Sequence, residues 1–234
     1  MQRWIVLLTV FVGVAAAGCA TSMGPHDPEA FRQTDFGAPV TVQVCALLDE
    51  DISREEAAKL LADAWAVDGP RYGVYFYIVH AARWRRPGFT VRAIMGDVAR
   101  YQLRSPCDRI LAFVGRHAGD VLWGTMPISV EILGGVNTST STHGFVVARW
   151  ATATQWLTPP KDALNHELYH MLGCHPHFNM RACYPQITAL KRAAAALGVA
   201  FFPGWNGVDG LLVRSRDEAN ATIARELRGE LTRP

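Results

Sequence analysis

Residues 166–173 read H-E-L-Y-H-M-L-G, and no other stretch restricts the fold as much. At about 100° per residue on a helix, His166 and His170 lie one turn apart on one face. Glu167 is displaced by one residue and leans over the same point from the side. Leu164, Leu168, Met171 and Leu172 form the opposing apolar stripe. Such a helix must dock one face on a core and leave the other on a cleft. Thr158-Pro159-Pro160 precedes it, so the expected N-cap is Thr158 with Pro159 at the first helical position. The helix is expected over about 161–172, stopping at Gly173.

The rest of the chain supplies that core. Val40 to Leu48 (VTVQVCALL), Val74 to Val79 (VYFYIV) and Ile110 to Val114 (ILAFV) read as strands. Val121 to Trp123, Ile128 to Leu133 and Phe145 to Ala148 are shorter strand candidates, and Phe89 to Met95 is a further element. Ser53 starts a helix, with Glu56 completing a capping box and Ala57, Leu60, Leu61, Ala64 and Trp65 as its apolar stripe. Asn137 to Thr142 (NTSTST) reads as a loop or bulge. Helices are expected over Ile187 to Leu197 and Asp217 to Leu227, with a turn across 202–207 between them. The fold class is therefore α+β: a twisted mixed sheet packed with an N-terminal helix and the motif helix, followed by a short helical part. A length of 234 residues suits one such domain, and 50% apolar against 19% charged residues excludes a disordered chain. Net charge is only +2, and the densest basic spot, Arg83, Arg85 and Arg86, reads as a solvated loop. No nucleic-acid partner is expected. His26, His80, His117 and His143 read as ordinary polar residues, and Trp123 and Trp150 as core or cleft walls.

The N-terminus carries an export signal: Arg3, an apolar run from Ile5 to Val14, then Ala16-Ala17-Gly18-Cys19. Small residues ahead of a cysteine at that distance resemble a bacterial lipoprotein signal. The resemblance implies cleavage after residue 18, lipid on Cys19 and, with Ala20 instead of aspartate, the outer membrane; the alternative is an ordinary signal peptide cut nearby. The run is too short for a comfortable membrane span. Residues 19–39, rich in Pro, Gly, Asp and Thr, read as a tether, and 40–234 as the domain, divided into 40–173 and 174–234. The four remaining cysteines of an exported chain suggest two disulfides with three possible connectivities. Cys174–Cys183 with Cys45–Cys107 is the favoured pairing. No C-x-x-C spacing points to zinc held by cysteines.

The chemistry expected of H-E-x-x-H is zinc catalysis, with three protein ligands and one open position. His166 and His170 are two ligands, and Glu167 is the general base for an attacking water. Here the sequence resembles the metzincin-type metallopeptidases, whose pattern continues as H-E-x-x-H-x-x-G-x-x-H. His166, Glu167, His170 and Gly173 match; the third histidine's place is Pro176, with His175 one residue early and His177 one late. Pro176 forces residue 175 toward an extended conformation. One extra loop residue would then bring His177 to the metal, with His175 as the alternative. A glutamate from a downstream helix, Glu218 or Glu226, is a third option by likeness to thermolysin-type enzymes. The family's methionine turn has one candidate after the motif, Met180. Tyr184 is a candidate oxyanion donor. The resemblance implies a lipid-anchored zinc endopeptidase acting on protein or peptide substrates, presumed monomeric. An edge strand, 128–133 or 121–123, would pair with extended substrate. The alternatives are a catalytically silent envelope module and a cell-wall peptide hydrolase.

Overall fold

The computed structural model describes residues 25–116, 133–149, 155, 158–175 and 180–230. Strands β1 (Val40–Leu48), β2 (Val74–Arg83), β3 (Arg109–Val114), β4 (Gly134–Val136) and β5 (His143–Val147) form one sheet in the order β2-β1-β3-β5-β4. All pairs are parallel except β4 with β5. The expected α+β fold is present, with a sheet more parallel than mixed. The reason lies in β1, β3 and β5, which are apolar on both faces. Val42, Val44, Ala46, Leu48, Leu111, Phe113 and Val146 face one core, whereas Cys45, Leu47, Ile110, Ala112, Val114, Phe145 and Val147 face the other. A sheet buried on both sides needs helices on both sides.

Four helices follow from local signals. Helix α1 (Pro28–Gln33) is capped by Asp27, and α2 (Arg54–Trp65) carries the expected Ser53/Glu56 capping box. A short helix, α3 (Asp68–Tyr72), ends at Gly73, whose φ of 60° suits glycine. Helix α4 (Val91–Val98) starts on a Thr90 cap and occupies the place of the expected element at 89–95. Beyond the sheet lie α5 (Pro160–Met171), α6 (Met180–Leu197) and α7 (Arg216–Leu227). A two-stranded hairpin of β6 (Gly204–Trp205) and β7 (Leu212–Val213) lies where a turn was expected. Helices α2, α5 and α6 contribute to the first core; Ile94 and Val98 of α4 and Ala219 of α7 contribute to the second. None of the helices among the described residues is long and apolar enough to cross a membrane.

Three expectations need correction. Thr158 does not cap the motif helix: Pro159 is the N-cap residue and Pro160 the first helical residue, where its missing N–H costs nothing. From residue 25 onward the expected tether is packed. Phe31 and Phe36 join an aromatic cluster with Tyr72 and Tyr184 at centroid separations of 5.1–6.0 Å. His26 hydrogen-bonds the Tyr72 and Tyr184 hydroxyls. Phe31 and Phe36 are partly buried against the first core, and that contact offsets the ordering entropy that polar composition alone would suggest.

The third correction concerns cysteines. Cys45–Cys107 is bonded as expected. Cys174 and Cys183 are thiols, fully buried in the first core. The Cys174 thiol hydrogen-bonds Cys183, and burial holds its pKa well above the ordinary range, which suppresses the reactive thiolate. Unfolding the chain in iodoacetamide without reductant should therefore alkylate Cys174 and Cys183 and leave Cys45 and Cys107 unlabelled until reduction, as read by peptide mass spectrometry.

Candidate metal centre

Helix α5 lies across β4 and β5 and beside α2. Its apolar stripe is as expected: Leu164, Leu168, Met171 and Leu172 are each 0% exposed. Tyr169, inside the motif, packs edge-on against Trp65 and Tyr72 and donates to the Tyr72 hydroxyl. That seating fixes the rotation of the helix and so the direction of the three polar side chains.

The His166 and His170 rings meet edge to face with centroids 4.5 Å apart and Nε2 atoms 2.9 Å apart. Two nitrogens each about 2.0–2.1 Å from a tetrahedral zinc stand about 3.3 Å apart, so the pair needs to open by only a few tenths of an ångström. His170 Nδ1 is 2.6 Å from the Cys174 carbonyl oxygen. Donation from Nδ1 to that carbonyl fixes the tautomer that leaves Nε2 as a metal acceptor.

Glu167 is 6% exposed, and its Oε2 has no hydrogen-bond partner among the described residues. Burial pushes its acid up to about 8 from the ordinary 4.5. An orphaned carboxylate oxygen next to two converging imidazoles fits a bound cation, whose charge would favour the ionised form. Room for this side chain comes from Gly134 on β4. A Cβ there would lie 2.5 Å from Glu167 Oε1 and 2.6 Å from its Cγ, so any side chain at 134 displaces the Glu167 carboxyl group. Sequence reasoning missed this residue; a Gly-Gly pair in a strand is the signal of close approach that it offers.

The turn after the helix is held from several sides. Gly173 has φ 80°, and a Cβ on it would lie 2.8 Å from Trp205 Cβ. His175 stacks on His170 at a centroid distance of 5.8 Å. Gly207 lies against the His175 ring, a Cβ there falling 2.7 Å from Nε2. Arg109 on β3, 0% exposed, donates to the carbonyls of Met171, Asp108, Phe202 and Pro203. It thereby ties the end of the motif helix to the segment that leads into β6.

Other expected site residues lie elsewhere. The Tyr184 hydroxyl is engaged by His26 Nδ1 at 3.2 Å and the Asp27 amide at 3.1 Å, on the side of the N-terminal segment. Glu218 accepts from the Arg214 amide and Glu226 from Asn137 Nδ2. Met180 is buried at the start of α6. His177, Cys19, 121–123 and 128–132 lie outside the described residues. Among the described residues no group of three or more His, Cys, Asp or Glu side chains is placed to hold one ion. Of the expected ligands, His166 and His170 are the two whose ring nitrogens the structure brings together among the described residues.

His143 belongs to a different network. Its Nδ1 accepts from Thr142 Oγ1 and its Nε2 donates to the Tyr101 carbonyl. Burial, with Arg109 adding to it, pushes its pKa down to about 4 from 6.5. The folded ring stays neutral while the unfolded one takes a proton, so its contribution is intact above pH 6.5 and lost as pH falls toward 4. Urea midpoints of wild type and His143→Gln should therefore converge between pH 6.5 and 4, wild type losing its advantage as the medium becomes more acid.

No protein-family model matches the chain, and no curated protein matches it.

Proposed function

We propose that the chain is a zinc-dependent, metzincin-like peptide hydrolase, exported and held at the bacterial outer membrane through lipid on Cys19. The observation that carries the reading is the pair of Nε2 atoms 2.9 Å apart with the buried Glu167 carboxylate one residue away on the same helix. His166 and His170 would hold the ion, with His177 or His175 completing the set. Zinc, when bound, supplies a Lewis acid that lowers the pKa of water and polarises the scissile carbonyl. Glu167 takes the proton of the attacking water and hands it to the leaving amine. Its near-complete burial keeps bulk water from competing for that proton. Strand β4 closes the described sheet and runs past Glu167, so an extended peptide aligned with it would present its carbonyl to the base.

Zinc titration tests the reading. The wild-type chain should bind one equivalent, and His166→Ala should lose it while keeping its far-ultraviolet spectrum. Failure of folded wild type to bind zinc would sink the proposal. Because the described residues bring only two donors together, a second reading is retained: a silent envelope module that binds zinc without turnover of a peptide library.

A further inference from the structure

A cavity of about 620 Å³ opens between residues 35–43 and α6, with Phe201 and Phe202 in its wall. No residue of α5 lines it. The volume lies within the roughly 300–1,000 Å³ of small-molecule sites. Its wall is largely apolar: Phe36, Val40, Ala194, Ala195, Phe201 and Phe202. Four charged residues are set into that wall: Lys191, Arg192, Asp35 and Asp108. Lys191 is 4% exposed. Its Nζ donates to the Tyr72 carbonyl at 2.6 Å and the Gly37 carbonyl at 3.4 Å, which leaves one of three N–H donors without an acceptor among the described residues. Among the described residues no carboxylate lies within ion-pair distance of it. Desolvation lowers its pKa, and the Asp35 carboxylate on the same wall offsets only part of that. Asp108, on the same wall, is committed: Oδ1 accepts from the Phe202 amide and Arg216, Oδ2 from the Gln43 amide. Asp35 Oδ1 accepts from the Gly37 amide. Arg192 also lines the cavity, is exposed and makes no ion pair among the described residues.

We propose that this cavity is a binding site for a small amphipathic monocarboxylate, its acid group on Lys191 and Arg192 and its hydrocarbon body against Phe36, Phe201 and Phe202. An ammonium whose hydrogen bonds go to neutral carbonyls gains from an anionic partner, because a charge-assisted hydrogen bond is stronger than a neutral one. The site is independent of the zinc reading.

Calorimetry on the full chain carrying Cys19→Ala, which removes the acceptor for an acyl anchor, tests this with octanoate and 1-octanol as probes. Octanoate should bind saturably with one site, and octanol at least about tenfold more weakly, the cost of losing the charge-assisted bond. Ala195→Trp narrows the cavity while leaving Lys191 in the chain and should abolish octanoate binding with the thermal midpoint unchanged. Lys191→Met should erase the preference for octanoate over octanol. Should that variant fail to fold, because it also loses the bonds to Tyr72 and Gly37, the Ala195→Trp and octanol arms still decide. No saturable octanoate binding, equal binding of octanol, or full binding by Ala195→Trp would each overturn the proposal.

Discussion

Glu167→Gln is expected to retain stoichiometric zinc and to lower peptide hydrolysis by about 10²–10⁴-fold, the range over which a positioned general base contributes. The substitution is nearly isosteric, so it preserves the close fit over Gly134, where the wild-type Oε1 already occupies the space of a Cβ. It removes the proton acceptor and nothing else of comparable size. The neutral amide also matches the buried carboxyl's preferred protonation in the metal-free protein, where burial holds the acid near 8. Thermal stability without metal should therefore be unchanged at neutral pH or slightly raised. Hydrolysis of a fluorogenic peptide library, measured beside zinc content, checks both halves. Undiminished turnover with full zinc would remove Glu167 from the chemistry.

Arg109→Met should cost the fold about 3–5 kcal/mol, in the range seen when a buried charged network loses one member. Methionine approximates the length of the arginine stem but supplies none of its donors. The carbonyls of Met171, Phe202 and Pro203 would then lose this partner in the interior. For a chain of this size the thermal midpoint should fall by about 6–20 °C. Arg109→Lys should fall between the two, because three donors on one nitrogen cannot reproduce the fork. A melt within 2–3 °C of wild type for the methionine variant would show that the network stabilises little.

The motif helix was legible because its evidence is local and periodic: four leucine and methionine positions on one side, His166, Glu167 and His170 on the other. The capping box at Ser53 and the apolar runs of β1 and β3 were legible for the same reason. The N-terminal segment was not, because Phe31 and Phe36 stand alone among polar residues and gain meaning only against Tyr72 and Tyr184, far along the chain. Helix α6 begins at Met180 instead of near 187, since Pro185 in its second turn reads as a breaker. Spacing alone suggested a clip between Cys174 and Cys183. The fold places Cys183 inside α6, facing the core, where a thiol packs as a small apolar side chain. Gly134, Arg109 and Gly207 shape the site from strands and turns distant in sequence, and nothing near the motif announces them.

The Cys45–Cys107 bond closes a covalent ring that contains the Arg85–Arg86 turn. Arg85 has a side chain 79% exposed and is followed by Arg86, so trypsin can cut between them, whereas Pro87 protects the next bond. A molecule nicked there would stay whole on a non-reducing gel and separate into two pieces only after reduction. Such a nick would spare the parallel ladder between β1 and β3 and both histidines of the pair. Limited digestion assessed without reductant would thus count cleaved molecules as intact, and preparations should be compared under both conditions before any loss of activity is assigned to unfolding.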